Sequence, residues 1–368
     1  MRTPSIARLM LKKNQIHFIY RAGIIGSIFL IAAGLMAIFV IGRGISWYEP
    51  ATPEAMVHGT ASKPYVYRTL LPTTVRVINA AIPSGSRESI RQSMLNRNVI
   101  NEFVREHQWN PQYLIEYSIA IVLMFLSLVG FAFAIRYFFR SVFEASDRFT
   151  DLATIIALLG LPPLFVYFDY VYDFTTLFLI SLGFALMVRR KWQLYLPVFF
   201  IACINKETTI LLTMVFAIHF FSTKRMARAL FGKLLLIQLG IFVAIRLLLM
   251  YQFRNNPGGA VEFHLIDKNF QLLLESYSLT TALTWFIVGL LIFYDWPQRP
   301  VFLKHGLWIA VPLLITTMFF GFLDELRDYY EVYPIVILLI AQTVGAIIGS
   351  DVKSRIESSA NAEAIAAE

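Results

Sequence analysis

Six consecutive residues, Ile204-Asn205-Lys206-Glu207-Thr208-Thr209, place an ammonium and a carboxylate inside an apolar tract running from Trp192 to Phe221. An ionised group at the centre of a membrane helix costs at least about 2.5 kcal/mol on insertion scales. Such residues therefore face a bundle interior or a watery cavity and have partners. Further groups of suitable chemistry are Glu49 and Glu54 with Tyr67-Arg68, the pair Asp169 and Asp173, and Asp324-Glu325-Leu326-Arg327-Asp328. Asp169 and Asp173 share one face of a continuing helix and could act as a base with a supporting carboxylate. Arg68, Lys206 and Arg327 could hold a phosphate or pyrophosphate leaving group, the arginines through bidentate contacts. The plainer alternative for each cation is to balance a nearby carboxylate. Tyr167, Tyr170 and Tyr172 suit sugar-ring stacking, although tyrosine belts mark the interfaces of any membrane protein. No Ser-His-Asp order, P-loop or HExxH pattern is present, and the six histidines show no metal-ligand spacing.

Composition decides what must position these groups. The chain is 57% hydrophobic and 15% charged, with repeated apolar runs long enough to cross a bilayer, so it reads as an all-α polytopic membrane protein. The net charge of +8 sits in residues that punctuate the hydrophobic spans. That pattern fits orientation and anionic lipid, not a nucleic-acid patch. The single cysteine, Cys203, allows neither an internal disulfide nor a Cys-based metal site.

The tract around Lys206 is flanked by Arg189-Arg190-Lys191 and by Lys224-Arg225 with Arg228. Basic clusters of this kind mark the cytoplasmic side, so the chain must enter and return. Each apolar half, of about 13 residues, makes roughly 20 Å of helix, enough for a short-helix hairpin whose tip carries Lys206 and Glu207. The alternative is one long, tilted helix with a structural ion pair.

In chain order, residues 1 to 21 form a basic cytoplasmic segment and 22 to 41 a retained first span without a convincing cleavage site. An outer loop over 42 to 112 carries amphipathic helices, one over 73 to 82 and one over 86 to 107, suited to the membrane surface. Spans follow near 113–133, 151–168 (shortened or kinked by Gly160 and Pro162-Pro163), 174–188, the hairpin halves 192–204 and 209–221, then 229–251, 279–293, 307–322 and 330–349. This gives about ten membrane segments counted on apolar length. Residues 22 to 349 form the membrane domain, and 350 to 368 a cytoplasmic tail whose Ala, Ser and Glu content points to disorder. In this topology the four polar clusters all arrive at the outer face, which implies a shared cavity open to the outer leaflet.

The order of a first span, a long outer loop with amphipathic helices, Tyr65-Val66-Tyr67-Arg68-Thr69-Leu70-Leu71-Pro72, the Asn205-Lys206-Glu207-Thr208 hairpin, and Glu325-x-Arg327 before Tyr333-Pro334 resembles bacterial integral-membrane glycosyltransferases of the GT-C superfamily. The resemblance implies a multi-pass protein of the bacterial inner membrane, and the basic flanks with the count of spans put both termini in the cytoplasm. It implies sugar transfer from a polyprenyl-phosphate-linked donor, with an acidic catalytic residue in the first outer loop. That loop offers Glu49 and Glu54 but no adjacent acidic pair. Physically, Glu49, Glu54 or Asp169, in that order, would deprotonate an acceptor hydroxyl. Lys206 and Arg327 would stabilise the departing lipid phosphate, with Tyr67, Arg68, Asp173, Glu207 and Glu325 completing the substrate site. A divalent metal could assist, but the sequence does not demand one. The expected partners are the lipid-linked sugar and membrane lipids, with no nucleic acid; oligomeric state, sugar and acceptor are not specified. A secondary transporter or flippase also uses broken helices and buried charges, but no internal repeat is visible here. A non-catalytic partner in polysaccharide assembly is the third alternative.

Overall fold

The structure, a computed structural model, describes residues 6–42, 45, 48–165, 170–259, 263–272, 279–323 and 325–355. Asp169, Tyr167, Asp324 and residues 356–368 therefore lie outside the described residues. The described chain is helical apart from one two-residue strand pair.

Helix α1 (Ile6–Gly42) is continuous. The basic segment over 1 to 21, expected to precede the first span, instead contributes the opening turns of the same helix from Ile6 onward. The loop region then supplies α2 (Pro53–His58), α3 (Leu70–Ala81), α4 (Ser84–Leu95) and α5 (Asn98–Glu106). The amphipathic segment expected over 86 to 107 is thus two helices. The backbone of Arg97 is extended (φ −88°, ψ 116°), which ends α4 and lets α5 start afresh.

Helix α6 (Leu114–Val142) carries Arg136 and Arg140 within its length and is longer than the expected 113 to 133. It is the central helix of the bundle, burying Phe131, Phe138 and Phe139 completely or nearly so. α7 (Asp147–Leu159) starts at Ser146, whose hydroxyl accepts the Phe149 N–H at 3.2 Å. It stops at Gly160, ahead of Pro162-Pro163, so the span expected over 151 to 168 is a 13-residue helix followed by a 3-10 turn. Gly160 lets α7 and the helix of Tyr333 approach closely: a Cβ would sit 2.6 Å from the Tyr333 hydroxyl, which donates to the Ala157 carbonyl at 2.7 Å.

The second half comprises α8 (Asp173–Val188), α9 (Trp192–Asn205), α10 (Ile210–Thr223), α11 (Arg228–Gln252), α12 (Leu279–Phe293), α13 (Val301–Leu307), α14 (Ala310–Phe320) and α15 (Tyr333–Ile347). Among the described residues, four stretches are long and apolar enough to cross a membrane: His17–Ile41, Pro111–Val142, Arg228–Gln252 and Val301–Phe320, the last joining α13 and α14. The span expected from 307 thus begins at Val301 and takes in Lys304. Shorter apolar helices, among them α8, α9 and α15, fill the bundle between them.

α9 and α10 form an antiparallel hairpin. The Trp192 ring, at the start of α9, lies 5.6 Å from Phe216 and 5.4 Å from Phe220, at the far end of α10. One continuous helix would hold these rings far apart, because each residue adds about 1.5 Å of rise. The Arg189 and Lys224 clusters accordingly share one end of the bundle, and Lys206 and Glu207 mark the other.

At the basic end, Arg136 pairs with Asp151 at 2.6 Å, and the Tyr20 hydroxyl donates to the same carboxylate at 3.0 Å, tying α1, α6 and α7 together. Part of the tail expected to be disordered is ordered: β2 (Lys353–Ser354) pairs antiparallel with β1 (Phe143–Glu144), Phe143 opposite Ser354.

Candidate functional site

The hairpin tip is built from the requirement that helix-end carbonyls find donors inside an apolar bundle. Lys206 is extended (φ −156°, ψ 145°) and ends α9. The Ala202 carbonyl accepts the Lys206 N–H at 3.0 Å and the Thr209 hydroxyl at 2.8 Å. The Ile204 carbonyl accepts the Thr69 N–H at 3.1 Å. The Cys203 carbonyl accepts from Arg246 on α11. A guanidinium at a helix C-terminus also complements the helix dipole. Asn205 fastens the tip to α8, donating to the Thr176 hydroxyl at 2.8 Å.

Around this tip, charges from distant parts of the chain meet. Arg68, delivered by the 3-10 turn Tyr65–Tyr67 in which Tyr67 is half-buried, binds Glu207 with Nη2 to Oε1 at 2.6 Å and Nε to Oε2 at 3.4 Å. Arg246 Nη1 approaches Oε2 of Glu207 at 3.6 Å. Lys206 Nζ lies 2.9 Å from Oε1 of Glu331, which also accepts the Thr208 hydroxyl. Arg327 binds Glu325 at 2.5 Å and faces Asp173 at 3.7 Å and Asp328 at 3.6 Å. Asp173, at the first position of α8, also accepts the Tyr170 N–H at 3.3 Å.

Each of the four sequence clusters thereby contributes at least one residue at one end of the bundle: Arg68, Asp173, Lys206 with Glu207, and Glu325 with Arg327. The joining material is aromatic. Tyr170 stacks with both Tyr65 and Tyr172, each centroid 5.3 Å away, and the Tyr48 ring meets Tyr65 edge-on at 5.5 Å. Arg327 lies 4.3 Å above Tyr170 and Arg68 lies 4.6 Å above Tyr172, whose hydroxyl it also contacts. Tyr170 and Tyr172 are buried, so the expectation that they stack on a sugar gives way to another role. Their faces are taken by each other and by the two arginines, which they hold in place.

Burial raises the Tyr172 phenol well above its ordinary range, so it stays a neutral donor and acceptor. Burial also pushes the Glu325 carboxyl up, to about 7, against the pull of Arg327, because Asp173 and Asp328 share that guanidinium. For Arg68, burial works against the charge, but the Glu207 carboxylate more than compensates and holds it above the usual guanidinium range.

The cluster of Glu49 and Glu54 with Arg68 divides, its arginine at the tip and its carboxylates apart from it. Glu54 accepts the Tyr117 hydroxyl at 3.0 Å, beside a second polar group in which Glu116 meets His58 at 3.2 Å and Asn79 at 2.9 Å. Glu49 is exposed, on the residue after Tyr48. Asp169 lies outside the described residues. Glu331 and Arg246 were not among the sequence-derived site residues, yet each contacts the tip. The signal for both was present: an ionisable residue entering an apolar helix.

Next to the tip lies an apolar groove of about 500 Å³ between α3, α9 and α11. Thr69, Ile204 and Ile245, chain neighbours of Arg68, Asn205 and Arg246, line it, and Phe200 and Leu248, also lining it, are 46% and 64% exposed, so it opens sideways. Among the described residues no group of three or more His, Cys, Asp and Glu side chains is arranged to hold a metal ion. Compared with protein-family models and with curated proteins, the chain matches none.

Proposed function

We propose that this helical membrane protein is a GT-C-type glycosyltransferase acting on a polyprenyl-phosphate-linked sugar at the outer leaflet of the bacterial inner membrane. The observation that carries the reading is the meeting of Arg68, Lys206-Glu207, Arg246 and Arg327 at one end of the bundle, beside a groove that opens to the apolar surface. A lipid-linked phosphate needs those two surfaces side by side: cations for the headgroup and a sideways apolar channel for the chain. The positive-inside rule would place the Arg189 and Lys224 end in the cytoplasm and the tip at the outer leaflet.

In the reaction, a carboxylate takes the proton of the acceptor hydroxyl. The acceptor oxygen bonds to the anomeric carbon as the bond from that carbon to the phosphate oxygen breaks, releasing polyprenyl phosphate with inversion. Of the two described candidate bases, Glu49 and Glu54, Glu49 is assigned the role, since Glu54 is bonded to Tyr117. Glu49 is exposed, and the adjacent Tyr48 touches the tyrosine stack that carries both arginines. Arginine donors positioned on the leaving phosphate lower the barrier by stabilising charge as it develops.

The test is release of polyprenyl phosphate from a panel of labelled polyprenyl-phosphate hexoses by the purified protein, with Glu49→Gln, Glu54→Gln and Asp169→Asn alongside. At least one amide variant should lose transfer and keep donor binding. Full activity of all three removes the catalytic reading. A proton-coupled transporter is the second reading, favoured by Glu331, which is fully buried, its Oε2 lacking a hydrogen-bond donor among the described residues. It predicts substrate flux in proteoliposomes and no donor cleavage.

A further inference from the structure

We infer that Glu207 is a built-in stand-in for the substrate phosphate: its carboxylate occupies the anion seat between Arg68 and Arg246 and must leave when the lipid phosphate enters. This rests on the functional reading above and assigns the seat within it.

Charge balance separates this seat from the rest of the cluster. Among the described residues, two guanidiniums, those of Arg68 and Arg246, face one carboxylate. Lys206 is matched one to one by Glu331. Arg327 is outnumbered by Glu325, Asp173 and Asp328. The phosphodiester of a polyprenyl-phosphate-linked sugar carries one negative charge and the polyprenyl monophosphate released by transfer about −1.5 to −2, so among the described residues only the first arrangement, once its single carboxylate leaves, has the positive charge to take either phosphate. Either would be repelled at Arg327 and would have to displace a fully buried partner at Lys206.

Exposure points the same way. The Glu207 side chain is 35% exposed, against 0% for Glu331 and for Asp173. Glu207 can therefore rotate out, whereas Glu331 and Asp173 have nowhere to go. The seat also has an unused donor, because Arg246 Nε is buried without a hydrogen-bond partner among the described residues. A phosphate offers more acceptor oxygens than a carboxylate and could take it up.

The seat stands at the head of the groove. Thr69, next to Arg68, and Ile245, next to Arg246, both line it. A lipid whose phosphate displaced Glu207 would have its chain lying directly in that channel. The occupant is therefore a lipid phosphate and not the free ion. Emptying the seat of its resident carboxylate should improve binding, the opposite of what removing a catalytic or purely structural carboxylate would do.

The experiment titrates the purified full-length protein in detergent with a polyprenyl monophosphate carrying no sugar, and separately with inorganic phosphate. It compares wild type, Glu207→Gln, Glu207→Asp and Arg246→Gln, each confirmed monodisperse. Glu207→Gln removes the competing charge and keeps an acceptor for Arg68. Glu207→Asp is too short to reach both arginines and serves if the glutamine variant does not fold. Both should bind the lipid phosphate more tightly, Glu207→Gln by about tenfold or more, a step of about 1.4 kcal/mol. Arg246→Gln should bind more weakly, and inorganic phosphate should not compete at matching concentrations. Unchanged or weaker binding by both Glu207 variants overturns the inference, as does effective competition by inorganic phosphate. If wild type cleaves donors and the Glu207 variants bind no tighter, the seat is misassigned and the transferase reading stands. If the variants bind tighter and no donor is cleaved, the seat stands and the transferase reading falls.

Discussion

Lys206 Nζ lies 2.9 Å from Glu331 Oε1, and the two side chains are 6% and 0% exposed. A hairpin tip is thereby locked to the head of the last helix by a buried ion pair, with Thr208 donating to the same oxygen. Charges brought together in this way are unforgiving of single losses, because the remaining partner is left buried and uncompensated.

Lys206→Met should therefore cost about 3 to 5 kcal/mol and lower the amount of folded protein in the membrane. Lys206→Met combined with Glu331→Gln removes the stranded charge and should recover most of that loss. Quantified extraction of folded protein, with thermal unfolding in detergent, checks this. Equal instability of the single and double variants would show that the pair is not the lock.

The hairpin itself makes a sidedness prediction. In a Cys203→Ser background, Cys203 being buried and the one thiol in the chain, cysteines placed at positions 190 and 225 should react with an impermeant reagent from the same side of the membrane. Labelling from opposite sides would contradict the approach of Trp192 to Phe220.

Glu325 should make stability depend on pH. Its carboxyl titrates near 7 in the folded protein, above the ordinary value of 4.5, so the native state holds this proton more tightly than the unfolded state. The stabilisation from that proton is fully present below about pH 4.5 and is lost as pH rises through about 7. Tm of the wild type should fall by several degrees relative to Glu325→Gln between pH 5 and pH 8. Parallel curves for the two proteins would place the Glu325 proton elsewhere.

Gly160 tests the crossing of α7 and α15. A Cβ there meets the Tyr333 hydroxyl at 2.6 Å, so Gly160→Ala should destabilise the protein by about 1 to 3 kcal/mol, the usual cost of overpacking. Tyr333→Phe removes the offending oxygen and should relieve most of that cost. A double variant no more stable than Gly160→Ala alone would locate the strain in the backbone instead.

What could be read from the sequence follows from which forces are local. Hydropathy is a property of contiguous residues, so the helices over Asp173–Val188, Trp192–Asn205, Arg228–Gln252 and Leu279–Phe293 lie close to where apolar runs and basic punctuation put them. The break at Lys206 was legible for the same reason: an ammonium and a carboxylate cannot continue an apolar helix without partners. The identity of those partners was not legible. Glu331 reads locally as one more polar residue ahead of the last helix, and Arg246 as an isolated cation in α11. Each gains its meaning from contacts with a tip more than forty residues away, Arg246 to the Cys203 carbonyl and Glu331 to Thr208. Glu54 carries the same chemistry as Glu207, yet packing turns it toward Tyr117 and away from the arginines. Solvation acts on each residue type wherever it occurs, so the sequence alone determined that these charges must be buried together with partners. Which charge faces which depends on how the helices cross, and only the tertiary structure decided it.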